Sequence, residues 1–311
     1  MSTVGLVTGA GRGIGAACAR RLAPTVDALL LADLDHASLA ETASALQRDG
    51  HRCDTVAGDL AATDAAARLA ERIAALGTLR SVAHVAGISP TMADPRRVFD
   101  VDLVATARLV DALRPLAQAG TALVCFASMA AHVGAAGNAA ADAAIDDPLA
   151  PGMFDAWAAA VGDTAADPGL AYAWAKRGVQ RLARREAVAL GPVGARICSI
   201  SPGMVDTPMG RQEYAQQPYM KLLEEMTPLG RTGSADELAA VVGFLCSDDA
   251  SFVTGIDLLA DGGVCAAIGP GLTKMRTRLL LFESHILGYG NRAIWKAPRS
   301  ERRRRRDACR T

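Results

Sequence analysis

The apolar run from Thr3 to Val7 stops on Thr8-Gly9-Ala10-Gly11-Arg12-Gly13-Ile14-Gly15, after which Ala16 to Leu22 takes on helical character. Strand, glycine-rich turn and helix in this order constrain the fold more than any other stretch. Backbone N–H groups and a helix N-terminus can approach a pyrophosphate closely only where the turn carries no side chains, which is what the glycines provide. The spacing Gly9-x-x-x-Gly13-x-Gly15 departs from the G-x-G-x-x-G fingerprint, so the match lies in the layout and not in the letters.

A second apolar run, Ala28 to Ala32, ends in Asp33, eighteen positions beyond Gly15. An acid at the tip of a second strand can accept both hydroxyls of an adenosine ribose and repel a 2′-phosphate, so NAD is expected over NADP. Arg12 is the countersign, since a cation in the turn can meet a phosphate. The competing use of Asp33 is as an N-terminal acid for a helix over His36 to Arg48. Further strands are expected to end at Val56–Leu60, at Ser81–Val85 before Ala86-Gly87, and at Thr121–Ala127 before Ser128. Helical stretches over Thr63–Leu76 and Pro95–Ala119 fall between them. Such alternation predicts an α/β fold, a single Rossmann-type doubly wound parallel sheet with helices on both faces.

Tyr172 and Lys176 stand at i and i+4 and therefore share one face of a helix. A free phenol titrates near ~10, and bringing it to neutral pH requires roughly 3 to 4 kcal/mol. One positive charge at ~4 Å contributes about that much at an effective dielectric of ~20. The arithmetic permits a proton-transferring Tyr, although the same spacing also suits an ordinary helix with a half-buried Tyr and a solvated Lys.

The formal charge of zero hides an asymmetry: residues 264–311 sum to +9 and residues 1–263 to −9. An acidic body argues against nucleic acid as the substrate. The seven cysteines are scattered and show no C-x-x-C spacing, which reads as buried thiols in a reducing compartment. Met1-Ser2-Thr3 runs directly into a strand and no apolar run is long enough to span a bilayer, so neither a leader nor a transmembrane segment is expected and the cytoplasm is the default.

The ordered set of motifs resembles the short-chain dehydrogenase/reductases over about residues 3–263. It comprises the Thr8–Gly15 turn, Asp59-Leu60, Ala86-Gly87, Ser128, Tyr172-x-x-x-Lys176, Pro202-Gly203-Met204-Val205-Asp206-Thr207, and a last strand from Val253-Thr254-Gly255 to Asp261-Gly262-Gly263. The resemblance implies a dinucleotide-binding catalytic domain over 1–263. Tyr172 would act as general acid/base, Ser128 would hydrogen-bond the substrate oxygen, and Lys176 would hold the nicotinamide ribose and lower the phenol's pKa, with Tyr172 and Lys176 both counted among the cofactor-binding residues. Gly9, Arg12, Gly13, Ile14 and Gly15 would line the pyrophosphate and Asp33 the ribose, with Asp59 and Leu60 bordering the adenine. Ala86, Gly87, Pro202, Gly203, Val205 and Thr207 would complete the cofactor wall, Thr207 at the carboxamide end. No metal is implied.

Three departures from the family pattern stand out. His84-Val85-Ala86-Gly87 replaces Asn-Asn-Ala-Gly, and His84 is expected to be a satisfied core residue. Asp102 stands where relatives carry the Asn of a proton relay, so a role for it in the relay is open. Ser128 and Tyr172 are separated by an insertion over about 131–168, with a helical piece near Phe154–Val161, which resembles the 3α-hydroxysteroid dehydrogenase/carbonyl reductase branch and implies a homodimer in preference to a tetramer. The Met- and Tyr-bearing stretch 204–229 corresponds to the family's substrate lid. It suits a bulky apolar alcohol or ketone, a hydroxysteroid among them, although packed core explains half of those residues equally well. Residues 264–311, with Arg302–Arg306, read as a basic tail. The alternatives are an NADPH-dependent 3-oxoacyl or carbonyl reductase, against which Asp33 and the insertion count, and a catalytically idle dinucleotide sensor, against which the intact Ser128, Tyr172 and Lys176 count.

Overall fold

The computed structural model describes residues 2–135, 137–217 and 219–268; the basic run Arg302–Arg306 and Cys309 lie outside them. The chain opens with β1 (Thr3–Thr8), α1 (Gly13–Leu22), β2 (Ala28–Asp33), α2 (His36–Arg48), β3 (Cys53–Ala57), α3 (Ala65–Leu76) and β4 (Thr78–His84). It continues with α4 (Pro95–Phe99), α5 (Ala105–Leu113), β5 (Ala122–Phe126), α6 (Ala130–Val133), α7 (Ala139–Ile145), α8 (Met153–Val161), α9 (Pro168–Leu190) and β6 (Arg196–Pro202). Last come β7 (Val205–Asp206), α10 (Pro208–Gln216), α11 (Tyr219–Met226), β8 (Gly233–Ser234), α12 (Ala235–Cys246), β9 (Asp257–Ala260) and α13 (Val264–Ile268).

Seven strands form one parallel sheet in the order β3-β2-β1-β4-β5-β6-β9, with β7 and β8 paired apart from it. Alternate residues of each strand serve opposite faces. Leu30 and Ala32 join Leu69, Ile73 and Val179 on one side, while Leu29 and Leu31 join Leu39, Leu46 and Val242 on the other. Burial on both faces is why these strands are short, continuous apolar runs. The sheet order reverses between β1 and β4, and the crevice beyond the carboxyl ends of such strands is where ligands bind in open α/β sheets.

Asp35, not Asp33, caps α2: its carboxylate accepts from the N–H groups of Ala37 and Ser38. Asp33 therefore stays at the tip of β2.

The insertion is more helical than the sequence suggests. Besides α8, which covers the expected Phe154–Val161 piece, it holds α7, capped by Asn138 accepting from the Ala141 N–H. Phe154 and the fully buried Trp157 pack on Phe99 with ring centroids 5.4 and 4.6 Å away. Asp142 and Asp146 each take a two-pronged guanidinium bond from α9: Arg177 at 2.6 and 2.8 Å, Arg181 at 2.6 Å in both arms. Matching i, i+4 spacing on the two segments sets this ladder, and it seats α7 along α9. The six described cysteines are free thiols. Among the described residues no helix is long and apolar enough to cross a membrane.

Candidate active site

The glycine turn lies at the carboxyl end of β1. A Cβ on Gly15 would fall 1.8 Å from the Gly9 carbonyl oxygen, so the turn folds back on itself too tightly for any side chain there. Gly13 faces Thr207, and Ile14 packs into the sheet side held by α1 and α12. Arg12, at the N-cap of α1, is exposed, and its side chain forms no bond to the helix's first N–H groups. The positive end of a ten-residue helix is thus left open toward the crevice, which fits a pyrophosphate.

Asp33 sits one layer along. Its Oδ2 accepts from the Gly11 N–H at 2.8 Å and its Oδ1 from the Asp35 N–H at 2.9 Å. These bonds orient the carboxylate, and each oxygen keeps a further acceptor site for a ribose hydroxyl. Asp59 binds Arg97 at 2.6 Å and the Ala61 N–H at 3.0 Å, while Leu60 packs on the opposite core.

His84 lies beneath the site and is fully satisfied. Thr106 Oγ1 gives its proton to the Asp102 carbonyl (2.8 Å), so the 2.9 Å contact to His84 Nε2 is a donation from the ring. Nδ1 then accepts from Thr8 Oγ1 (2.8 Å), which itself accepts the Ala86 N–H (3.2 Å). Burial first, and then Lys176, lower the His84 pKa to about 3, so the ring is a neutral strut. It is the satisfied core residue expected from the sequence.

Asp102 lies in a widened helical turn, Asp100–Val104, where the Ala105 N–H reaches back five residues to the Asp100 carbonyl; such turns often mark functional sites. Its Oδ1 accepts from the Ile88 N–H at 3.0 Å and lies 3.4 Å from Lys176 Nζ, while Oδ2 is buried with no partner among the described residues. Burial raises its pKa, opposed by Lys176 and the Ile88 N–H. A Cβ on Gly87 would come within 2.6 Å of that carboxylate and 3.0 Å of the ammonium, so only glycine leaves room for the pair.

Ser128 follows β5 and is buried; its Oγ accepts from the Ala130 N–H at 3.2 Å, and it acts to lower the pKa of the Tyr172 phenol. Lys176, one turn along α9, donates to the Phe126 carbonyl at 3.1 Å, and its Nζ lies 5.6 Å from the centroid of the Tyr172 ring. The fold thus brings Ser128, Tyr172, Lys176 and Asp102 together. Yet the phenol lies above its ordinary range: burial raises it most, followed by the carboxylates of Glu213 and Asp102, and Ser128 only partly compensates. Lys176 alone does not bring it to neutral pH in the chain as it stands.

The far wall begins at Pro202, whose carbonyl accepts from the Met129 N–H at 2.9 Å, and at Gly203, which bonds the Ala260 carbonyl at 3.0 Å. Val205 is buried, and Thr207 caps α10 by accepting the Gly210 N–H at 3.0 Å. In the lid, Met204, Met220 and Leu223 are packed core, while Met209, Tyr214 and Tyr219 remain exposed. Glu213 of α10 is a residue that the sequence did not single out. Its pKa is pushed up to about 7, mainly by burial, with Ser89 and Lys176 opposing. No spacing distinguishes it from the other acids of that stretch. Arg97 was likewise unread as the partner of Asp59.

Comparisons with known proteins agree with this geometry. A family model described as short chain dehydrogenase matches residues 3–144, and one described as enoyl-(acyl carrier protein) reductase matches residues 157–265. The chain is 33% identical to a cis-4-hydroxycyclohexanecarboxylate dehydrogenase from Sinomonas cyclohexanicum, over 85% of this chain and 96% of that one. It is 30% identical to the short-chain dehydrogenase/reductase bsc3 of Alternaria brassicicola, over 84% and 95%. Among solved structures, a short-chain dehydrogenase/reductase of glucose/ribitol dehydrogenase type from Brucella melitensis superposes with a TM-score of 0.66 at 28% identity, covering 84% of this chain and 96% of that one.

Proposed function

The chain belongs to the short-chain dehydrogenase/reductase family of oxidoreductases, and from that premise we propose that it interconverts a secondary alcohol and a ketone on a ring-shaped, largely apolar substrate with NAD as the redox partner. The observation that carries this reading is the Lys176 ammonium 5.6 Å from the centroid of the Tyr172 ring and 3.1 Å from the carbonyl of Phe126, two residues before Ser128, at the carboxyl ends of the central strands. The glycine turn, the open end of α1 and the acceptors of Asp33 fit a dinucleotide. When bound, it accepts the hydride of the alcohol carbon.

The protein's part is proton handling and placement. Ser128 Oγ and the Tyr172 hydroxyl hold the substrate oxygen between them, and Tyr172 takes the hydroxyl proton as the carbonyl forms. Lys176, anchored by the Phe126 carbonyl, keeps a positive charge beside the phenolate that accepts this proton. Support for a ring-shaped alcohol comes from the Sinomonas relative, whose printed substrate is cis-4-hydroxycyclohexanecarboxylate, a ring alcohol that also carries a carboxylate, and from the exposed Met209, Tyr214 and Tyr219 of the lid. The preference for NAD rests on Asp33, and a reducing compartment such as the cytoplasm on the free thiols. The test is a panel of alicyclic alcohols and hydroxysteroids with NAD or NADP, followed by the absorbance of reduced nicotinamide. Formation of NADH from at least one class is expected; its absence from every secondary alcohol contradicts the reading.

Asp102 bears on the pH dependence. Its charge raises the Tyr172 pKa while Lys176 draws on the same carboxylate. Replacing it with Asn removes a negative neighbour of the phenol, so the rising limb of kcat/KM for oxidation should move to lower pH, by on the order of one unit. A limb that stays in place, or moves up, would remove Asp102 from the proton-transfer centre.

The seat of α7 on α9 covers a helix face that most relatives use for assembly, which supports a homodimer. Light scattering should give the mass of two subunits, and four would overturn this part of the proposal.

A further inference from the structure

The turn that carries Ser128 is tied down from its far end. α6 begins two residues after Ser128 and folds back on the turn: the Ala131 N–H donates to the Ser128 carbonyl at 3.0 Å and the His132 N–H to the Met129 carbonyl at 2.9 Å. The His132 side chain reaches away to Asp257 at the start of β9, its Nε2 2.8 Å from Oδ2. A carboxylate oxygen only accepts, so that nitrogen carries the proton. Ser199, which pairs with Asp257 across β6 and β9, donates to Oδ1 at 2.6 Å, and Ser201 reaches the two oxygens at 3.0 and 2.8 Å. Gln180 of α9 closes the cluster. Its amide nitrogen stands 3.1 Å from both Asp257 Oδ2 and Ser201 Oγ, and 2.9 Å from His132 Nε2, so two donors crowd around one carboxylate oxygen. Both serines are fully buried, and the Asp257 side chain is 11% exposed. A carboxylate so withdrawn from water needs several donors, and a network that uses each of them fixes the elements that supply them.

We propose that His132, Asp257 and Gln180 are positioning residues that hold the Ser128 turn in place against the helix carrying Tyr172 and Lys176. The proposal rests on the reading of this site as an alcohol-oxidising centre and deepens it with residues that act through Ser128. The elements joined are those of the site: His132 lies four residues beyond Ser128, and Gln180 one turn beyond Lys176 on α9. α6 also meets α9 next to the phenol, since a Cβ on Gly134 would fall 2.8 Å from the Cβ of Ala173. Packing this close passes any shift of α6 to its neighbours. A misplacement of about 1 Å at a reacting centre can cost about a hundredfold in rate.

The test replaces His132 with Ala, which breaks the contact, and with Gln, whose amide nitrogen lies about as far along the side chain as Nε2 and can donate to Asp257. In His132→Ala, kcat for alcohol oxidation should fall about tenfold or more, with the dissociation constant for NAD within about twofold of wild type. His132→Gln should recover kcat to within about threefold. Because Ser128 lowers the Tyr172 pKa, its displacement should move the rising limb of kcat/KM to higher pH. Glu213, Asp102 and Tyr219 also act on that phenol and Lys176 lies beside it, and the substitutions leave all four in place. Placed in a Ser128→Ala background, His132→Ala should cost less than about twofold more, since the group it positions is gone. Amide hydrogen exchange over residues 129–132 gives a reading that needs no turnover. It should quicken about tenfold in His132→Ala and slow again in His132→Gln. Asp257→Asn, which keeps the shape and removes the charge, is the second variant, with the same changes expected in kcat and exchange. Exchange unchanged within about twofold in both variants, a loss of kcat that Gln does not recover, or the same loss repeated in the Ser128→Ala background overturns the proposal. A wild type that oxidises no secondary alcohol counts against the dehydrogenase reading, whereas the exchange rates still decide whether the network holds the turn.

Discussion

Tyr172→Phe is expected to lower kcat for alcohol oxidation by about a hundredfold to ten-thousandfold, the range over which a positioned acid or base contributes. The change removes one oxygen and keeps the ring, so the packing of α9 and the Lys176 contact at 5.6 Å from the ring centroid stay in place. Ser128 keeps its bond from the Ala130 N–H and can still hold the substrate oxygen. What is lost is the group that takes the proton. Dinucleotide affinity, followed by titration, should change by no more than about threefold, because the ring of Tyr172 stays and the other proposed cofactor contacts are untouched. A turnover within tenfold of wild type would place proton transfer on another group, with Glu213 and Asp102, whose charges raise the phenol's pKa, to consider first.

The second large effect concerns the choice of cofactor. Asp33→Ala is expected to reduce the preference for NAD over NADP by about a hundredfold or more. A charged hydrogen bond contributes roughly 1.5 to 3 kcal/mol, and two to one ribose make up most of that change. A carboxylate facing a 2′-phosphate at ~5 Å adds about 3 kcal/mol of repulsion at an effective dielectric of ~20, less what salt screens. Part of the loss in NAD affinity comes from the turn itself, since Asp33 also accepts the Gly11 and Asp35 N–H groups. That share is common to both dinucleotides and cancels in their ratio. α2 should survive, because its cap is Asp35. Dissociation constants for the two dinucleotides check the claim, and a ratio that moves by less than about threefold would assign the selectivity elsewhere, with Arg12 first in line.

Several features were legible because they are local. A turn that lets Gly9 meet Gly15 needs glycines in any context. Strands buried on both faces need continuous apolar runs, and a Tyr and Lys four apart must share a helix face. His84 was legible as a core residue, although its hydrogen-bonded chain to Thr8 and Thr106 was not. The unread features depend on pairs far apart in sequence. Asp142 and Arg177 are thirty-five positions apart, and only the ladder they start seats α7 along α9. The widened turn at Asp102 follows from how α4 and α5 meet α9 and leaves no local mark. Glu213 lay in a stretch conspicuous for its Met and Tyr residues, and what sets it apart is the burial that raises its pKa, which depends on the folded chain around it. Whether Asp33 served the helix over His36 to Arg48 was a question that spacing could not resolve, and the cap proved to be Asp35, which the sequence reading did not single out.

The central claim is that this site moves a hydride from a secondary alcohol to NAD while Tyr172 takes the proton. It is tested most directly by supplying an alicyclic alcohol deuterated at its carbinol carbon and analysing the reduced cofactor by mass spectrometry. The account predicts deuterium on the nicotinamide, a slower turnover than with the unlabelled alcohol, and loss of the labelled product in Tyr172→Phe. Reduced nicotinamide without the label, or full labelling by the Phe variant at the wild-type rate, would contradict it.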